Sequence, residues 1–167
     1  MNGVSKAYCM TGWRLGYCGG PKEIIAAMNK IQSQSTTSTS SISMAAAIEA
    51  LNGNQDFIQI HNQHFKKRRD MAVSNLNNVP GISCNTPSGA FYVYPNCEGC
   101  MNKKTPKGKT IRSDEDFMNY LLDSEGVAGV HGEAFGLSPY FRLSYATDEN
   151  TLQEACNRIM KACSKLV

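Results

Sequence analysis

The sequence predicts an α+β chain made of two unlike parts, and three observations point there. Helical spacing of apolar residues dominates the middle of the chain, aromatic and β-branched runs alternate with helical segments after residue 80, and the first twenty residues have almost no period. The 167 residues suit one ordinary domain with enough length to bury a core. Apolar residues at 41% and charged residues at 19% are globular proportions. A formal charge of +3 is too small to make nucleic acid or an anionic membrane the main partner. No apolar run approaches the roughly 18 residues of a membrane span, and no charged segment leading into an apolar one marks a signal peptide.

Residues 1–20, rich in Gly and small side chains, read as loop and short strand. Pro21 stands where a helix begins, followed by Ile24, Ile25, Met28 and Ile31 at helical spacing. Residues 32–41 hold eight Ser or Thr, the composition of a flexible linker or of an ordered crossing between two lobes. An Ala-rich helix is expected from Ile42 to Leu51, stopping at Asn52-Gly53. A longer one follows over residues 56–76, with Phe57, His61, Phe65, Arg68, Ala72 and Leu76 three or four apart, ended by Pro80-Gly81. Its basic run, Lys66-Lys67-Arg68-Arg69, reads as a solvated face.

Strand character then appears in residues 90–94, AFYVY. Residues 96–109 are Lys-, Gly- and Pro-rich and read as an exposed loop. Ser113 followed by Asp114, Glu115 and Asp116 is a helix start, with an N-cap hydroxyl and acids in the first turn. Residues 127–131 and 140–145 read as strands separated by a loop at 132–139. The last helix is capped near Thr147 or Asp148 and carries a stripe of Leu152, Cys156, Ile159, Cys163 and Leu166.

Seven scattered cysteines disfavour a secreted disulfide framework. Cys97 and Cys100 form a lone C-x-x-C without the second pair that a zinc ribbon needs, and His61 and His64 have no third ligand nearby in sequence. Cys156 and Cys163 share one helical face, where thiols act as small apolar groups. A reduced, cytoplasmic protein without a metal is the simpler account.

Three residues stand out chemically. Lys6 lies among small uncharged neighbours, where partial desolvation favours a neutral, reactive amine. Arg14 follows eight residues later, between Gly12 and Gly16, which allow close backbone approach, and a guanidinium fork suits a phosphate. On chemistry alone the signal is weak, since a lone Lys and a lone Arg are far more often surface residues. Arg142 is isolated in an apolar-aromatic strand, where a guanidinium is costly without an anion; an internal salt bridge or a strand-edge position would satisfy it as well.

The run GVSKAYCMTGWRLG at residues 3–16 resembles the cofactor-attachment signature of class I aminotransferases, a lysine followed by an arginine eight residues on. NGVSK with MTGWRLGY is similar to the bacterial aspartate aminotransferase branch in particular. GGPK, KIQSQS, EALNG, GAFYVYP, VHGEAFG and YFRLSYA resemble that branch too, in the same order, so the resemblance covers essentially the whole chain. It implies an α/β to α+β fold: residues 1–40 as the end of the large pyridoxal-phosphate-binding domain, 41–79 as linking helices and 80–167 as the small C-terminal α+β domain.

The resemblance further implies that Lys6 holds pyridoxal 5'-phosphate as a Schiff base and then shuttles a proton, that Arg14 binds the cofactor phosphate, and that Arg142 pairs with the substrate α-carboxylate. The implied reaction moves the amino group of L-aspartate to 2-oxoglutarate in a cytoplasmic homodimer. Cys9 stands where a smaller or aliphatic residue is usual, Gly3 where some relatives have a phosphate-binding Ser, and the Ser-rich crossing lacks a proline. The family's acid at the pyridine nitrogen, its stacked ring and its phosphate loop precede the lysine, so a chain starting five residues before Lys6 is expected to be a C-terminal portion with little activity alone. Two other readings stay open, a non-catalytic folded remnant and an aromatic or prephenate aminotransferase.

Overall fold

A computed structural model describes residues 1–167. It divides into two compact units, Met1–His61 and Asn62–Val167.

The N-terminal unit opens with β1 (Asn2–Gly3) and β2 (Gly16–Tyr17), paired antiparallel with Gly3 opposite Gly16. The pairing closes residues 4–15 into a loop. Next come α1 (Lys22–Ser35) and α2 (Ser41–Asn52), then the start of α3 (Asp56–Asn77). Helix α1 runs four residues into the Ser/Thr-rich tract, where the hydroxyls of Ser33 and Ser35 donate back to Lys30 O at 2.8 Å and Ile31 O at 3.1 Å. Only residues 36–40 remain as a link, bent at Thr37 with φ +64°. The core of this unit is thin: Val4, Met10 and Ala47, flanked by Tyr8, Leu15, Ala46 and Ala50. Helix α1 buries nothing, and Ile24, Met28 and Ile31 are exposed along one face.

The C-terminal unit is built around a three-stranded antiparallel sheet in the order β3 (Tyr92–Val93), β5 (Phe141–Ser144), β4 (Val130–His131). Helices α4 (Asp114–Glu125) and α5 (Glu149–Cys163) complete it. The core joins Leu76 of α3, Phe117 and Leu121 of α4, Phe141 and Tyr145, and Leu152 and Ile159 of α5. Both helix starts follow their sequence signals. Ser113 Oγ accepts from Asp116 N at 3.1 Å, and Asp148 Oδ1 from Thr151 N at 2.9 Å.

Strands are shorter than the sequence suggests. Residues 90–94 give only two ladder positions, because Ala90 takes a left-handed φ of +64° and the chain swings in to let Phe91 O accept from Tyr145 N. The loop at 96–109 is also more ordered than expected. A 3-10 turn at Glu98–Cys100 brings Gly99 against Gly81, where a Cβ on Gly99 would lie 2.6 Å from Gly81 Cα. The basic run of α3 is only partly solvated: Lys67 pairs with Glu149 at 2.7 Å, while the half-buried Arg69 donates to Pro87 O at 3.1 Å.

All seven cysteines are free thiols, five buried and two exposed. Burial pushes Cys84 up to about 11 and Cys97 up to about 12. Brief alkylation of the native chain is therefore expected to label Cys9 and Cys18 only, read by peptide mass spectrometry, with the other five labelled after denaturation.

Three carboxylates are held below their ordinary range: Glu125 by bonds from Lys161 and Lys165, Asp116 by its bond from Lys109, and Asp148 by its cap on Thr151. A depressed folded value means stability that is present above the unfolded value and lost as pH falls through the folded one. The urea midpoint is expected to drop as pH goes below 4.5, the ordinary value for Glu125, and Glu125→Gln is expected to flatten that slope.

Candidate active site

In the N-terminal unit, Lys6 and Arg14 lie on the one loop that β1 and β2 close. The two strands meet tightly through their glycines, since a Cβ on Gly16 would stand 3.3 Å from Asn2 O. Lys6 sits in the turn at residues 5–8, which Cys9 N closes by donating to Lys6 O at 3.1 Å. Tyr8 anchors that turn: its hydroxyl donates to Gln55 Oε1 at 2.8 Å and its ring meets Phe57 edge-on at 6.0 Å. Gln55 in turn donates to Ala50 O at 3.0 Å and Gly53 O at 2.7 Å.

Arg14 caps a 3-10 turn at Thr11–Trp13 in the left-handed conformation, φ 50° and ψ 51°. Its Nη1 donates to Thr11 O at 3.1 Å, and the side chain is exposed. Cys9 is left-handed as well, at φ 54°. Two non-glycine residues in that region within six positions are uncommon, and such conformations cluster where a loop presents particular groups. Nothing in the residue types announces this.

Arg142 is in the C-terminal unit, on the central strand β5. Phe141 and Leu143 are buried, so period-two alternation turns Arg142 and Ser144 to the other face. Tyr92 pairs with Ser144 and so lies diagonal to Arg142 on that face. Its ring centre is 4.4 Å from the guanidinium carbon, and the ring of Phe135 is also at 4.4 Å. No carboxylate of the chain pairs with Arg142, and a central strand is no sheet edge. Neither alternative open at the level of sequence therefore describes it; two aromatic rings stand where an internal acid would.

Phe135 belongs to a 3-10 turn at Gly132–Phe135, inside the 132–139 segment that reads as loop from the sequence. Three contacts hold this segment. Tyr94 Oη donates to Gly132 O at 3.1 Å, and its ring stacks on Tyr140 at 5.5 Å and 13°. Glu133 N donates to Oδ2 of the fully buried Asp114 at 3.1 Å. Gly132 admits no side chain, since a Cβ there would run into Leu137 O and come within 2.7 Å of Tyr140 O. The motif VHGEAFG was visible in the sequence, but its relation to Arg142 was not.

The chain matches the family model for aminotransferase class I and II over residues 1–159. It is 59% identical over 163 residues to a probable aspartate/prephenate aminotransferase of Rhizobium leguminosarum bv. phaseoli, covering 98% of this chain and 41% of that protein. It is 55% identical to an aspartate aminotransferase of Rhizobium meliloti (strain 1021), covering 99% and 40%. Among solved structures it is similar to the aspartate aminotransferase from Rhizobium meliloti, with TM-score 0.97, 55% identity and coverage of 99% of this chain and 42% of that one. A Thermus thermophilus aspartate aminotransferase with maleate gives TM-score 0.84 at 38% identity, covering 96% and 40%. The chain thus spans about two fifths of the length of the curated relatives it matches. Its helices and small sheets are a portion of that fold, and the chain belongs to the class I and II aminotransferase family.

Proposed function

We propose that this chain is the lysine-bearing C-terminal portion of an aspartate aminotransferase, moving the amino group of L-aspartate to 2-oxoglutarate. The observation that carries this reading is the closed loop at residues 4–15, with an amine and a guanidinium eight positions apart, in a chain that matches the family almost end to end. Residues 1–40 are read as the end of the cofactor-binding domain, 41–79 as linking helices and 80–167 as the small domain.

Class I aminotransferases use pyridoxal phosphate. The residues present suit it in part: its aldehyde asks for a primary amine and its phosphate for a cation, and Lys6 and Arg14 are both exposed on one loop. When bound, this cofactor supplies a carbonyl carbon for an amine and a ring that draws electrons from the substrate Cα. Nζ of Lys6 would hold the carbonyl carbon and would accept and return the proton of the substrate Cα. That role needs an amine able to be neutral near pH 7. Arg14 would fix the phosphate through its fork. Arg142, unpaired by any acid of the chain, would take the substrate α-carboxylate in the plane of its N–H edge.

Contacts to the pyridine ring are expected from the part of the fold that the chain does not span, so the 167 residues alone would catalyse poorly. That same part would cover the exposed Ile24, Met28 and Ile31 of α1. A second acceptor, prephenate, is favoured by the name of the Rhizobium leguminosarum relative, a probable aspartate/prephenate aminotransferase.

Titration of the 167-residue chain with pyridoxal phosphate is expected to give a weak band at longer wavelength than the free cofactor's own absorption, lost in Lys6→Ala and needing roughly tenfold more cofactor in Arg14→Ala. A band that survives Lys6→Ala would remove Lys6 from this role. Glutamate formation from aspartate and 2-oxoglutarate is expected to be near background, and steady turnover by the 167 residues would overturn the proposed inactivity.

A further inference from the structure

We infer that Phe135 and Tyr92 form an aromatic clamp that sets the plane of the Arg142 guanidinium, with Phe135 as a positioning residue for recognition of an aliphatic carboxylate. This rests on the reading of Arg142 as the carboxylate site and adds the device that aims it.

Both ring centres stand 4.4 Å from the guanidinium carbon. A cation over an aromatic face is attracted to the ring's negative centre, and rings against the plane leave the N–H edge as the direction for hydrogen bonding. The Arg142 guanidinium has neither a hydrogen bond nor an ion pair within the chain, so the rings replace the polar partners that normally orient such a group.

The two rings are held very differently. Tyr92 is fixed by the ladder through its pairing with Ser144. Phe135 is 49% exposed and sits on a turn with no strand pairing. Exposure of an aromatic ring is unfavourable, yet the chain spends a buried carboxylate (Asp114), a tyrosine hydroxyl (Tyr94) and an obligatory glycine (Gly132) on holding that turn. Tyr94 also meets the Phe135 ring edge-on at 6.3 Å, which limits its swing. A turn fastened three ways that presents one ring to one cation has the form of a positioning device.

The test uses the 167-residue chain labelled with 15N-arginine. The Arg142 Nε–Hε signal is identified by its loss in Arg142→Lys. In the unliganded chain this signal is expected to be shifted by the ring currents and to move toward the random-coil position in Phe135→Leu, but not in Phe135→Tyr. Succinate is then added against sodium chloride of equal ionic strength. The wild-type signal is expected to move saturably, Phe135→Leu to bind succinate roughly three- to tenfold more weakly, and Phe135→Tyr to restore binding. Backbone amide spectra of both variants, unchanged outside residues 130–142, exclude simple unfolding. Saturable binding of equal strength in wild type and Phe135→Leu overturns the clamp and leaves the carboxylate reading standing. No succinate response in the wild type, with the ring-current shift present, overturns the carboxylate reading and with it the recognition role.

Discussion

The alternation of strand β5 is the constraint on which the C-terminal unit depends. Phe141 and Leu143 enter the core while Arg142 and Ser144 take the opposite face, and both neighbouring strands pair with this one. A slip of one residue would bury the guanidinium and expose two large apolar groups. An unpaired charge in the interior costs several kcal/mol, roughly, so the register is strongly held. Phe117 of α4 packs on Phe141 with centroids 5.6 Å apart, which means the helix face that builds the core also aims Arg142 outward.

A second layer of constraint acts through single polar contacts. Asp114 is fully buried at the first turn of α4, where the helix amides favour negative charge, and one of its oxygens takes Glu133 N. The Tyr94 hydroxyl, from a residue just past β3, donates to Gly132 O. Bonds of this kind contribute about 1 kcal/mol each, more when one partner is charged. Together they give a short irregular segment the definition that its sequence, with two glycines and no period, could not supply.

What the sequence made legible follows from how local each signal is. Helix periods and N-caps involve residues three or four apart, and Ser113 and Asp148 cap where their patterns indicate. Strand ends were less legible because they depend on distant backbone: Ala90 leaves the ladder so that Phe91 O can meet Tyr145 N. The cage around Arg142 was illegible for the same reason. Tyr92 reaches it only through the register of β3 on β5, and Phe135 only through the fastening of its turn. Lys6 and Arg14 stood out as a motif, while the left-handed backbone at Cys9 and Arg14 has no counterpart in residue type.

That backbone bears on how the lysine loop is held. Non-glycine residues in the left-handed region cost on the order of 1–3 kcal/mol each and persist where surrounding structure over-determines them. Against this the apolar core of the N-terminal unit is only Val4, Met10 and Ala47, and large apolar side chains return about 1.5–3 kcal/mol each when fully buried. The two quantities are comparable, so Tyr8, Gln55 and the glycine contact of β1 with β2 matter to the loop as much as its core does. Ile24, Met28 and Ile31 are a reserve of apolar surface that contributes only when covered. Covering α1 would therefore tighten the unit that presents Lys6 and Arg14 without touching either residue.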